Sequence, residues 1–181
     1  MEYFDIVNQN GEATGEVVER KRAHREGYWH HTSHVWIVRK KEAHIQILLQ
    51  MRCAEKDSFP CCYDISSAGH IPAGDNYIDS AIRELKEELN VEILPEALVD
   101  CGLYTSSVDA EFHGEPFVDR QISKVYLLWL DKEEEDFQVQ KEEIDHVKWF
   151  DFEECKNAVI RNTIPHCIDI KELEILEAHF S

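Results

Sequence analysis

Long apolar runs are missing from this 181-residue chain, and none approaches the roughly 18 consecutive apolar residues of a membrane-spanning helix, so that class is excluded. A charged-then-apolar leader is missing too: Met1 to Ile6 mixes acidic and aromatic residues, and a soluble, unprocessed, cytoplasmic protein is expected. Glycine and proline number only seven and five and never gather into a linker, and there is no internal repeat. One domain spanning 1–181 is therefore expected, with an N-terminal β-ribbon over about 1–20, a core over about 30–160 and a C-terminal helix over about 169–179. CxxC spacing is absent as well. Six cysteines without a secretion signal read as reduced thiols, and the adjacent Cys61-Cys62 suits neither a zinc knuckle nor a redox pair.

Positive charge is in shortest supply. The chain has 19 Lys/Arg against 37 Asp/Glu, a formal charge of −18. The imbalance is uneven: residues 1–60 hold nine basic and nine acidic residues, so the whole excess lies in 61–181. Such a surface repels phosphate backbones, and neither nucleic acid nor membrane is expected as a partner. A small phosphorylated ligand meets the same repulsion. It can bind only where divalent cations neutralise carboxylates locally, helped by basic groups of the first third.

What is present is alternation of strand and helix patterns. Tyr3–Val7 and Gly15–Val18 flank the turn signal Asn8-Gln-Asn-Gly11 and predict a hairpin. Val35–Val38 and Ile45–Leu49 read as antiparallel strands, Tyr63–Gly69 as a further strand, and Lys124–Leu130 and Val147–Phe150 as two more. Trp36, Trp129 and Trp149 fall in these strands, where core packing is the default, whereas Trp29 reads as part of a loop. Ala81, Ile82, Leu85 and Leu89 mark an amphipathic helix from Asp79 onward. Two later helices are expected near Phe152–Val159 and Asp169–Ala178, the second with Ile170, Leu173, Ile175 and Leu176 as its stripe. The acidic run Asp131–Asp136 and the pair Glu142-Glu143 read as solvated loops. The fold class is α+β, a sandwich of sheet and helices.

The informative segment is Gly69-His-Ile-Pro-Ala-Gly-Asp75 followed by Arg83-Glu-Leu-Lys-Glu-Glu-Leu-Asn-Val91. At helical spacing Glu84, Glu87 and Glu88 share one face, and three gathered carboxylates repel one another unless a cation sits among them. They also lie near the C-terminal end of the helix, where the dipole disfavours anions. Oxygen-rich clusters of this kind suit Mg²⁺ or Mn²⁺. Arg83 is placed to orient a carboxylate, and Gly69 to bring a backbone carbonyl near the same metal.

This segment resembles the Nudix box, in which Gly, five residues, Glu and seven residues precede Arg-Glu-aliphatic-any-Glu-Glu-any-Gly-aliphatic. Gly69, Arg83, Glu84, Leu85, Glu87, Glu88 and Val91 match. Asp75 stands where the family has Glu, and Asn90 where it has Gly; Asn tolerates a left-handed backbone and can still end the helix. The resemblance implies a Nudix fold, a mixed β-sheet between α-helices. It also implies Mg²⁺-dependent hydrolysis of a pyrophosphate linkage in a small-molecule diphosphate substrate. Arg83, Glu84, Glu87 and Glu88 would be the catalytic residues, and Gly69, Glu84, Glu87 and Glu88 the metal ligands. A homodimer would be the commonest assembly.

The likeness extends to Ala23-His24, Trp29-His30-His31, His34-Val-Trp36, Leu48–Arg52, Phe59-Pro60 and Asp64–His70, which resemble the Nudix branch akin to type 1 isopentenyl diphosphate isomerase. That enzyme moves protons on carbon rather than hydrolysing. It holds a metal through histidines and glutamates, and His24, His31 and His70 fall close to those positions. Arg52 and Asp119 join the substrate-site expectation on the same ground. The isomerase has its catalytic cysteine where this chain has Ala68, and relatives often carry an acid where it has Gln121. Alanine exchanges no proton and Gln is no base, so hydrolysis is the favoured reading. A module that kept the fold and lost turnover would show a damaged carboxylate cluster, and this cluster is complete.

Overall fold

The computed structural model describes residues 1–181. Its seven-stranded sheet is organised around β3 (Trp29–Lys41), whose apolar stretch Val35–Val38 has no polar alternation and is buried on both faces. β3 runs antiparallel to β4 (His44–Arg52) and β6 (Ser67–His70) and parallel to β8 (Glu115–Trp129). The order is β5-β4-β3-β8-β7, with β5 at Tyr63–Asp64 and β7 at Leu98–Phe112, while β9 (Ile144–Asp151) pairs with β4. Period-two geometry then divides the core. Trp36 and Val38 join Val125 and Leu127 beneath α3 (Phe152–Arg161) and α4 (Ile170–Glu177); Val35 and Ile37 join Leu85 and Leu89 of α2 (Tyr77–Leu89).

The expected hairpin is β1 (Tyr3–Val7) and β2 (Ala13–Glu19), with the Asn8 side chain accepting the Asn10 and Glu12 N–H groups at the turn. It continues into α1 (Arg20–Glu26), a helix the sequence does not announce because Glu19 offers no side-chain cap. Phe4, Ile6, Val18 and Ala23 form a small core of their own under this unit.

The structure corrects three further expectations. The strand expected at Tyr63–Gly69 is broken after Asp64: the Ser66 hydroxyl donates to the Leu48 carbonyl and accepts the Ile37 N–H, replacing ladder bonds by side-chain bonds. Trp29 begins β3 instead of sitting in a loop. Trp129 is 40% exposed at the end of β8, where it meets Phe180 edge-on, whereas Trp36 and Trp149 pack in the core as expected. β7 and the first half of β8 carry no apolar period because they extend beyond the core and present polar side chains. No helix is long and apolar enough to cross a membrane.

Candidate active site and metal centre

The sheet face that carries Trp36 turns polar toward the start of β3. Strides of two bring His30, Thr32 and His34 onto that face, and the register sets Thr32 beside His70 of β6 and Ser123 of β8, and His30 beside Gln121. Asp119 follows one stride further along β8. This face floors a cavity of about 580 Å³ whose lining is mostly polar. α1 contributes His24, α4 contributes Glu172, the end of β4 contributes Arg52 and the segment after it contributes Lys56.

α2 packs on the opposite face, yet Glu84, Glu87 and Glu88 all line the cavity. Gly69 makes this geometry available: a Cβ there would lie 2.4 Å from Glu84 Cγ and Cδ, so the missing side chain is the space the Glu84 carboxyl occupies. Glu88 is buried, and its Oε2 accepts the Ser67 hydroxyl at 2.6 Å and the Ala68 N–H at 3.3 Å. Burial pushes its carboxyl up to about 8 despite those bonds, and burial also raises Glu84. Glu87 is exposed. Arg83 donates to Asp75 at 2.8 Å and reaches Glu84 Oε1 at 3.4 Å, so the shorter Asp75 still engages the box arginine.

The tightest gathering of ligand atoms lies elsewhere on the floor. One ligand atom each from His24, His30, His70 and Asp119 falls within 4.8 Å of the others. His24 Nε2, His30 Nε2, His70 Nε2 and Asp119 Oδ1 are all buried without a hydrogen-bond partner, an expensive arrangement unless something binds them together. Asp119 Oδ1 stands 3.5 Å from His30 Nε2 and 3.7 Å from His24 Nε2. Such gaps are too wide for a good hydrogen bond but suit atoms sharing an ion at roughly 2.1 Å, whose mutual spacing is about 3 to 3.5 Å.

The ring nitrogens are prepared for that role. His30 Nδ1 lies 2.9 Å from the Tyr28 carbonyl, and donating its proton there leaves Nε2 with a bare lone pair aimed at the cluster. Burial lowers His24 to about 3 and His30 to about 4 and drives His70 down as well, so all three are neutral near pH 7. Phe4 of β1 stacks on both His30 and His70 with centroids 4.8 Å away, closing the cluster on the ribbon side. Burial raises Asp119 to about 6.

Of the residues singled out from sequence, His24, Arg52, Gly69, His70, Glu84, Glu87, Glu88 and Asp119 line one cavity. His31 does not. Strand alternation turns it to the opposite face, where its ring lies 4.9 Å from Tyr77, and His30 takes the place expected of it. Arg52 is clamped by the Ser58 and Phe59 carbonyls and by Asp64, which fixes its guanidinium at the cavity wall. Glu142 is exposed as expected, while Glu143, partly exposed, also lines the cavity in an ion pair with Lys56. Glu172 and His34 were not foreseen; Glu172 is buried in α4 next to Leu173.

A family model described as the NUDIX domain matches residues 27–167. Nudix hydrolase 3 of Arabidopsis thaliana is 39% identical over 158 residues, 86% of this chain but 20% of that protein. An uncharacterized Nudix hydrolase of Clostridium acetobutylicum is 34% identical over 143 residues, covering 79% of this chain and 66% of its own length. The chain thus spans only part of these relatives. An isopentenyl-diphosphate Delta-isomerase of Aliivibrio fischeri is 25% identical over 150 residues, 82% of this chain and 80% of that enzyme. Among solved structures, a Deinococcus radiodurans protein superimposes with a TM-score of 0.69 at 22% identity, covering 99% of this chain and all of that one. The matched span takes in the box, the central sheet and three of the four cluster residues, His30, His70 and Asp119, and on this footing the chain belongs to the Nudix family.

Proposed function

We propose that this chain hydrolyses a pyrophosphate-type linkage in a small polar diphosphate substrate, with divalent cations held by two ligand sets that share one cavity. The observation that carries this reading is that the box carboxylates share one cavity with His24, His70 and Asp119, whose orphaned ligand atoms gather with that of the buried His30 as a cation would require. Glu84, Glu87, Glu88 and the Gly69 carbonyl form the oxygen-rich set, suited to Mg²⁺ or Mn²⁺; His24, His30, His70 and Asp119 form a nitrogen-rich set suited to Mn²⁺ or a later transition ion. Divalent ions bound there supply Lewis acidity toward phosphoryl oxygens and make water a stronger nucleophile at neutral pH.

The chain's own groups do the rest. Arg20, Arg52, Lys56 and Lys171 bring positive charge to a cavity rich in carboxylates and orient an anionic substrate. Arg83 holds Glu84 in place through its own anchor on Asp75. Burial keeps the Glu88 carboxyl protonated near neutral pH, so a cation taken up beside it would displace that proton and gain a charged ligand. The mostly polar lining favours nucleoside diphosphate derivatives, dinucleotides or sugar nucleotides over prenyl diphosphates. Proton exchange at carbon lacks its groups: Ala68 on the cavity wall has none to offer, and the Gln121 amide donates to Asp119 at 2.6 Å.

A panel of pyrophosphate-containing metabolites, incubated with Mg²⁺ or Mn²⁺ and read for products, tests this. Cation-dependent cleavage of at least one polar member is expected, with Glu87→Gln and Glu88→Gln each lowering it by roughly 10²-fold or more, since each removes charge without volume. Wild-type rates in both variants would refute the assignment, and isomerisation of isopentenyl diphosphate seen by NMR would restore the isomerase reading.

A further inference from the structure

Asp119 offers one oxygen to the histidines, and its other oxygen belongs to a chain of hydrogen bonds. Gln121 Nε2 donates to Asp119 Oδ2 at 2.6 Å, and the Gln121 carbonyl oxygen accepts the Thr32 hydroxyl at 3.3 Å. Thr32 Oγ1 lies 2.6 Å from Ser123 Oγ and 3.3 Å from His34 Nε2. His34 Nδ1 lies 2.7 Å from Glu172 Oε1, which also accepts the Trp36 indole N–H at 2.9 Å. Thr32, His34, Ser123 and Glu172 are buried, so the bonds among them are made out of water, while Gln121 and Asp119 at the near end are partly buried at the cavity.

The donors run in one direction. With both His34 nitrogens protonated, Nδ1–H donates to Glu172 and Nε2–H to Thr32; Ser123 also donates to Thr32, whose single proton goes on to Gln121. The Thr32 hydroxyl then has its one donor and both acceptor positions in use. Gln121 passes the polarity across its amide, accepting at oxygen and donating from nitrogen to Asp119. An ionised acid at position 121 could accept the Thr32 proton but would have no donor for Asp119. The His34 imidazole supports the same direction: burial alone lowers it, but the charge and hydrogen bond of Glu172 outweigh burial and raise it overall.

We infer that Gln121, Thr32, His34 and Glu172 are positioning residues that hold Asp119 as a one-oxygen cation ligand, making the C-terminal helix part of the metal centre. The inference rests on the nitrogen-rich cation site proposed above. It also gives position 121 a role in this chain: an amide there orients a ligand for which an ionised acid would have no donor. Partners that orient a metal ligand from outside its coordination sphere commonly matter by about 10–100-fold in affinity.

The test is Co²⁺ titration of the metal-stripped full chain, read by visible absorption of the bound ion, with thermal melting as a check on folding. His24→Ala and His70→Ala must abolish the histidine-dependent band; if they do not, the cation site itself is wrong and the positioning role falls with it. Provided they do, Thr32→Val, which removes the hydroxyl and keeps the shape, is expected to weaken Co²⁺ binding roughly tenfold or more and shift the band. Thr32→Ser should restore both. Glu172→Gln should act in the same direction from the far end of the chain. Wild-type affinity and spectrum in folded Thr32→Val would overturn the inference, even with the cation site established.

Discussion

Single residues in this cavity are defined by what they lack or by which proton they hold. Gly69 contributes an empty volume that Glu84 fills, and Ala68 contributes the absence of a titratable group. The carboxyls carry protons that a cation bound as proposed would displace. In the cation-free state Asp119 is raised to about 6 and Glu88 to about 8 by burial, while His24 and His30, lowered to about 3 and 4, are already neutral. A proton on either carboxyl competes with a cation, so affinity strengthens as pH rises through 6 and on to about 8, then levels off. Calorimetric Mn²⁺ titration at pH 6 and at pH 8.5 should therefore show markedly tighter binding at the higher pH. Equal or weaker binding at the higher pH would mean that these carboxyls are not ligands.

At the scale of the element, α2 shows how closely a sequence can specify a helix that carries chemistry. Asn76 caps it by accepting the Asp79 N–H at 2.9 Å, and Asn90 ends it at φ 53°, with Asn90 N–H and Val91 N–H turned back to the Lys86 and Leu85 carbonyls. Because that left-handed residue carries the turn, Asn90→Ala should destabilise the chain by about 1 kcal/mol relative to Asn90→Gly in urea unfolding. Both variants lose the Asn90 side-chain bond to Gln138, so the comparison isolates the backbone. Equal stability of the two would show that the left-handed end costs nothing.

This helix was legible because its chemistry is local: i, i+3 and i+4 spacing fixes which carboxylates share a face. The histidine–aspartate cluster was only half legible because it is assembled from α1, β3, β6 and β8, and no spacing along the chain encodes their meeting. His30 and His31 are neighbours in sequence, and which of them faces the cavity is decided by the register of β3 against β6 and β8. β7 was invisible for a related reason. One of its faces lines a polar cavity, which erases the apolar alternation by which strands are read.

Across the whole molecule, charge and topology are complementary. The charge-neutral first sixty residues supply the ribbon, α1 and the basic groups Arg20, Arg52 and Lys56; the acidic remainder supplies the box carboxylates, Asp119 and Glu172. The sheet separates two apolar cores, and the cavity occupies the end of one face where side chains change from Trp36 and Leu127 to His34, Thr32 and Asp119. Gly69 lets the carboxylates of α2, on the other face, reach the same space. On the function proposed above, this space holds divalent cations in two sets of ligands. A crystal soaked in Mn²⁺ and measured for anomalous scattering tests it most directly. One peak is expected among Glu84, Glu87 and Glu88 and a second among His24, His30, His70 and Asp119; a map with no peak at either place would contradict the two cation sites.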